Sequence, residues 1–267
     1  MAVFCPDQRG DAMTQLTDRA YIVTGAAGGI GAGIARVLAE RGARVLLVDL
    51  DAAKVSAMAE QLGSGAVGTA CDITDAASVQ ATVDTALERF GRLDGVVNNA
   101  GVVELDTAWD ADGDAWDRQL RVNVTGTFVT SQVVGEHLRS AGGGAIVNIA
   151  SNCGKVGYAN MAAYNASKAA VINLTRSLAL EWAKDDINVN AVCPGGVDTP
   201  MLGSVAEWLS PRVGVDADEL LAGMGPAQLG RKIQPEEVGR VVAFLLSDDA
   251  HIIRGQAINV DGGDTPY

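Results

Sequence analysis

Tyr164 and Lys168 stand four positions apart, so on a helix they share one face and the ammonium can stabilise a phenolate. A free tyrosine titrates near ~10, and acting as a base near neutrality requires a shift of about two to three units, or ~3–4 kcal/mol. One close cation supplies part of that shift. The same pair on an exposed helix would be a routine amphipathic couple, and Ser151 is what changes the reading. It follows the apolar run AIVNIA and can donate a hydrogen bond to a substrate oxygen at the carboxyl end of a strand.

A second cluster lies earlier in the chain. TGAAGGIGAGIA places Gly25, Gly29 and Gly31 in a GxxxGxG spacing immediately after a β-branched run and at the start of a helical one. Strand, glycine turn and helix in this order cradle a dinucleotide pyrophosphate, because the glycines allow close backbone approach and the helix N-terminus favours an anion. Asp49 follows the next strand, where a carboxylate accepts hydrogen bonds from the adenosine ribose hydroxyls and repels a 2′-phosphate. That points to NAD. Asp51 is a competing carboxylate that could instead make Asp49 an ordinary loop residue.

The elements that must position these residues alternate in type. Strands are expected at 20–24, 44–48, 66–70, 95–98, 145–150, 187–192 and 256–260. Helices are expected near 30–41, 52–62, 75–90, 114–140, 160–184 and 235–247, with Thr74-Asp75 and Pro235-Glu236-Glu237 as start signals. This alternation implies a single-domain α/β fold, a Rossmann-type doubly wound parallel sheet of about seven strands with helices on both faces. Residues 13–267 form that domain, with residues 1–12 expected to be a disordered tail and Met13 a candidate start. An irregular stretch at 200–230, punctuated by Pro200, Pro211 and Pro226, is expected to act as a substrate lid.

From about residue 17 to residue 263 the sequence resembles the short-chain dehydrogenase/reductase family in its classical branch. The resemblance rests on Thr24 to Gly31 as the cofactor loop, Asp72 and Ile73 in CDITD, NNAG at Asn98 to Gly101, and Asn123 in VNVTG. It continues through Ser151, Tyr164 and Lys168, with 13 residues from serine to tyrosine, to PGGVDTP at 194–200. It implies a hydride transfer in which Tyr164 is the acid/base, Lys168 its electrostatic partner, Ser151 the substrate-oxygen donor and Asn123 the support of a water relay. A local helix kink at Asn123 would free a carbonyl for that water. The resemblance further implies that Gly25, Gly29, Ile30, Gly31, Asp49, Asp72, Ile73, Asn99, Ala100, Gly101, Pro194, Gly195, Val197 and Thr199 bind the cofactor, with Tyr164 and Lys168. It implies a homotetramer, or a homodimer, paired through the helices near 114–140 and 160–184.

Composition sets the outer bounds. The 267 residues are 48% hydrophobic and 20% charged, as in globular proteins, and no apolar run is long enough to span a bilayer. A formal charge of −13 disfavours nucleic acid and anionic membranes as partners. A small-molecule substrate and a cytoplasmic location are the expectation. Cys5, Cys71, Cys153 and Cys193 have no metal-ligand spacing, so no metal or disulfide framework is suggested. Cys153, Tyr158 and Trp208 are candidate substrate contacts, the other tryptophans are assigned to packing, and His137 and His251 to the surface. Polar side chains at Asn152, Lys155, Tyr158 and Asn160 favour a small diol, polyol or alicyclic alcohol. The alternatives are an NADPH-dependent 3-oxoacyl carrier protein reductase, opposed by Gly28 and Asp49 where a basic residue would stand, and a dinucleotide-sensing regulator without catalysis, opposed by the intact catalytic set.

Overall fold

The computed structural model describes residues 15–265; the tail expected at 1–12 and the start at Met13 lie outside them. Seven strands form one parallel sheet in the order β3-β2-β1-β4-β5-β6-β7, as the alternation predicts. They are β1 (Ala20–Thr24), β2 (Arg44–Asp49), β3 (Val67–Ala70), β4 (Gly95–Asn98), β5 (Gly144–Ile149), β6 (Ile187–Pro194) and β7 (Ala257–Val260). The central strands are buried on both faces because their β-branched runs carry no polar alternation. In register, Ile22 of β1 lies between Leu46 of β2 and Val96 of β4.

The helices are α1 (Gly29–Glu40), α2 (Ala52–Leu62), α3 (Ala76–Phe90), α4 (Gly113–Leu120), α5 (Thr127–Ala141), α6 (Ala162–Trp182), α7 (Pro200–Val213), α8 (Ala217–Gly223) and α9 (Pro235–Leu245). Ile34 and Leu38 of α1 pack with Val238 and Val242 of α9 on one sheet face. Val83 of α3, Val134 and Leu138 of α5 and Leu178 of α6 fill the other. Asp75 caps α3 by accepting from the Ala77 amide, as its start signal indicates. Among the described residues no helix is long and apolar enough to cross a membrane.

Two expectations are corrected. The helix expected at 114–140 is interrupted by a π-helical turn at Arg121–Gly126, which supplies the kink anticipated at Asn123. The stretch 200–230 is not irregular, since it contains α7 and α8. Pro200 occupies the first helical turn, where it costs no hydrogen bond, and the Thr199 side chain accepts from the Leu202 amide. Pro211 lies inside α7, where it removes the donor that would bond the Glu207 carbonyl, and the helix ends two residues later at Val213.

Strand order reverses direction between β1 and β4, and at this switch point the loops after neighbouring strands diverge to leave a crevice. A buried amide ladder fixes the sheet there. Asn98 Nδ2 donates to Asn148 Oδ1 at 2.8 Å, and Asn148 Nδ2 donates to Thr175 Oγ1 at 2.9 Å.

Candidate active site

The crevice opens into a cavity of about 840 Å³ that runs from Asp49 and the glycine loop to Ser151, Tyr164 and Lys168. At its first end Gly25 adopts φ +63°, and a Cβ there would come 2.8 Å from Ala100 Cα. A Cβ at Gly31 would overlap the Gly25 carbonyl, so the loop can close onto α1 only without side chains. No side chain caps the N-terminus of α1, and its first amides face the cavity beside Gly28, Gly29 and Ile30. This cradle fits a dinucleotide pyrophosphate. Asn99 tightens it from another strand, donating from Nδ2 to the Thr24 carbonyl at 2.9 Å and the Gly25 carbonyl at 3.1 Å. Asp49 lies on the cavity wall, its Oδ2 accepting from the Ala27 amide at 3.2 Å, while Asp51 is occupied as the cap of α2.

At the other end three elements converge. Ser151 ends the β5 segment and opens a short 3-10 turn, its Oγ accepting from the Cys153 amide at 3.1 Å. Tyr164 and Lys168 come from one face of α6, the ammonium 5.6 Å from the phenol ring centre. Lys168 Nζ donates to the Ile149 carbonyl at 2.9 Å. Asn123, on the π-helical turn, is fully buried and exchanges two hydrogen bonds with the backbone of Val102, next to Gly101. Its Nδ2 also donates to Ser167 Oγ at 3.0 Å, tying the turn to α6. Burial pushes the Tyr164 hydroxyl above its ordinary value, with Cys153 adding to the rise and a hydrogen bond to Ser151 opposing it. Burial drives Lys168 the other way, down to about 8. Near neutrality the chain alone therefore holds a protonated phenol beside an ammonium.

Most residues singled out from sequence meet in this one cavity. Gly25, Gly29, Ile30, Asp49, Asn99, Ala100, Gly101, Pro194, Gly195, Val197 and Thr199 line it with Ser151, Tyr164, Lys168, Cys153 and Tyr158. Gly31 and Asn123 lie behind the lining and shape it. Asp72 is exposed beyond the lining, its Oδ1 accepting from the Thr74 amide and hydroxyl, and Ile73 is buried against Gly126. Trp208 also lies outside the lining. Its ring is covered by the Arg212 guanidinium at 3.5 Å, and Met201, Leu202, Val205 and Leu209 of the same helix face the cavity instead. Trp109, assigned to packing, is 96% exposed in the turn before α4. His137 shares a hydrogen bond with the Leu93 carbonyl and His251 sits beside Arg254, both away from the cavity. Met224, one of the apolar residues expected in the lid stretch, lines it too, and sequence reasoning missed Met161 and Asp264, which also line it.

The comparisons with known proteins agree with this geometry. A family model described as Enoyl-(Acyl carrier protein) reductase matches residues 25–265. D-threitol dehydrogenase of Mycolicibacterium smegmatis is 43% identical over 94% of each chain. Cis-4-hydroxycyclohexanecarboxylate dehydrogenase of Sinomonas cyclohexanicum is 41% identical over 93% of this chain and 97% of its own. Among solved structures, a single-substitution variant of actinorhodin polyketide ketoreductase with NADPH superimposes with a TM-score of 0.89 at 37% identity, covering 96% of this chain and all of the other. The cradle, the serine, tyrosine and lysine, and these similarities place the chain in the classical short-chain dehydrogenase/reductase family of oxidoreductases.

Proposed function

We propose that the protein is an NAD-dependent dehydrogenase that interconverts a secondary alcohol and its ketone, with small diols, polyols and alicyclic alcohols as its substrate class. The observation that carries this reading is the convergence of Ser151, Tyr164 and Lys168 in the cavity that also holds the glycine cradle and Asp49. Relatives named for a polyol and for an alicyclic hydroxy acid support the substrate class. A bound nicotinamide supplies the hydride acceptor and, with its positive ring, the further charge needed to lower the Tyr164 hydroxyl. Tyr164 removes the proton from the alcohol oxygen in oxidation and returns it in reduction. Ser151 turns its one proton from Asn152 Oδ1 to the same oxygen, Lys168 stabilises the phenolate and holds ribose, and Asn123 supports the relay of water to Lys168. Asp49 accepts from the adenosine ribose hydroxyls; Asp72 and Ile73 flank the adenine, and Pro194, Gly195, Val197 and Thr199 hold the carboxamide.

The NADPH-bound ketoreductase structure favours a second reading, a reductase that uses NADPH. Asp49 opposes it, because a carboxylate on the cavity wall repels a 2′-phosphate. A screen of secondary alcohols graded by size and polarity, followed by NADH absorbance, tests the reaction; no turnover of any would overturn it. Comparing kcat/KM for NAD and NADP tests the cofactor, with wild type favouring NAD and Asp49→Ala narrowing the ratio. A wild-type preference for NADP would select the second reading. Exposed Phe128 on α5 and Leu180 on α6, 39% and 81% accessible, support assembly as a homotetramer through these helices, which light scattering would check.

A further inference from the structure

Beside the serine, tyrosine and lysine the cavity carries a second fixed hydroxyl. Asn152, buried next to Ser151, accepts from Ser151 Oγ at 3.3 Å and donates from Nδ2 to the Tyr158 hydroxyl at 3.0 Å. Tyr158 is also held through its backbone, since its carbonyl accepts from Asn165 Nδ2 at 2.8 Å, one residue past Tyr164. Ser151, Asn152 and Tyr158 all line the cavity, so two hydroxyls separated by one amide face the same space. The Tyr158 oxygen is already used as an acceptor, which leaves its proton to be donated. Burial and the nearby Cys153 and Asp264 raise its titration, keeping it a neutral donor.

Charge in this half of the cavity is one-sided. Asp264 lines it next to Tyr158, and among the described lining residues the only cation is Lys168, which is engaged with the Ile149 carbonyl. Lys155 is turned to the Ala257 carbonyl, and the Arg212 guanidinium is stacked on Trp208. A carboxylate or phosphate on the Tyr158 side would therefore meet Asp264, while the one cation among the described lining residues, Lys168, faces the Tyr164 ring. Met201, Leu202, Val205 and Leu209 line the same cavity and suit a hydrocarbon skeleton.

We infer that the Asn152–Tyr158 pair is a subsite for a second oxygen of a neutral substrate, with the reacting oxygen at Ser151 and Tyr164 and a neighbouring hydroxyl or carbonyl accepting from Tyr158. This inference rests on the dehydrogenase reading above and narrows its substrate to neutral vicinal diols and their hydroxyketones. The test is kcat/KM with NAD for 2,3-butanediol and for 2-butanol, measured on wild type and Tyr158→Phe. Their ratio is internal to each preparation, so a loss of active protein cancels. Wild type should prefer the diol, and Tyr158→Phe should cut that preference about tenfold, the scale of one lost hydrogen bond to substrate. A wild-type ratio near one, or a ratio that Tyr158→Phe leaves unmoved, overturns the subsite and leaves the dehydrogenase reading standing. Absence of turnover on every secondary alcohol overturns both.

Discussion

On the cavity floor Lys168 is bonded to the Ile149 carbonyl of β5 and Asn123 ties the π-helical turn to Ser167 of α6, the helix that carries Tyr164, whereas Met201, Leu202, Val205 and Leu209 on the roof belong to one helix. The floor is buried and cross-linked between distant segments. The roof, α7 and α8, is tied to the body where Val197 bridges Ile233, the Asp198 amide donates to the Ile233 carbonyl at 2.8 Å and Lys232 pairs with Asp198 at 2.7 Å, and again past α8, where Gln228 Nε2 donates to the Gly263 carbonyl at 2.9 Å. Within α7 the contact of Arg212 with Trp208 is local to that helix. The polar groups proposed for the chemistry thus sit where displacement would break bonds between separate elements, and the proposed lid is held by fewer side-chain hydrogen bonds to the body.

The sharpest way to break this contrast is at the floor. Tyr164→Phe removes the proposed proton carrier and keeps the ring, so turnover should fall by ~10²–10⁴-fold while NADH affinity stays within a few fold. Retention of more than a tenth of the activity would mean that the proton moves elsewhere. In wild type the base must be deprotonated for oxidation, and the raised phenol places the rise of oxidation rate on the alkaline side, with reduction falling over the same range. A pH profile of both directions checks the sign.

Lys168 sharpens the contrast by separating function from stability. Its folded value of about 8 lies below the ordinary 10.5, so between these limits the unfolded chain binds more protons and stability rises with pH. Below about pH 8 the folded protein carries the whole cost of a buried ammonium, on the order of 3 kcal/mol at most. Lys168→Met should therefore lower turnover at least tenfold and raise the melting temperature at pH 7 by a few degrees, at about 2–4 °C per kcal/mol for a chain of this size. A lower melting temperature would show that the bond to the Ile149 carbonyl outweighs desolvation.

The floor is largely legible in the sequence because its pieces are local. The i, i+4 pair on α6, the serine after a β-branched run and the glycine turn each declare themselves within a dozen residues. What escapes is long-range or depends on where a breaker falls. Asn99 is singled out through NNAG, but its clamp on Thr24 and Gly25, 75 and 74 positions away, is a contact no local pattern encodes. In the roof, prolines and glycines signal irregularity, although Pro200 sits where a helix tolerates it and Pro211 sits near its end. Without the helical phase, Trp208 stands out only as the largest side chain. The positions 201, 202, 205 and 209 carry the amphipathic spacing that points into the cavity.

The smallest expected effects lie in the roof, and they test whether it moves. If the segment from Asp198 to Lys232 moves, the apolar burial gained on substrate binding has to work against its contacts with Ile233, Gly262 and Gly263. Leu209→Ala shortens an inward side chain without touching the proton carriers, so KM should rise a few fold while kcat changes by less than twofold. Hydrogen exchange reads the motion directly. Amides of α7 and α8 should gain protection when NADH and substrate are added, while those of α6, already held by the floor, should change little. Unchanged protection across 201–224 would make the roof a fixed wall. In that case the contrast between floor and roof would be one of chemistry alone, apolar against polar, with no difference in mobility behind it.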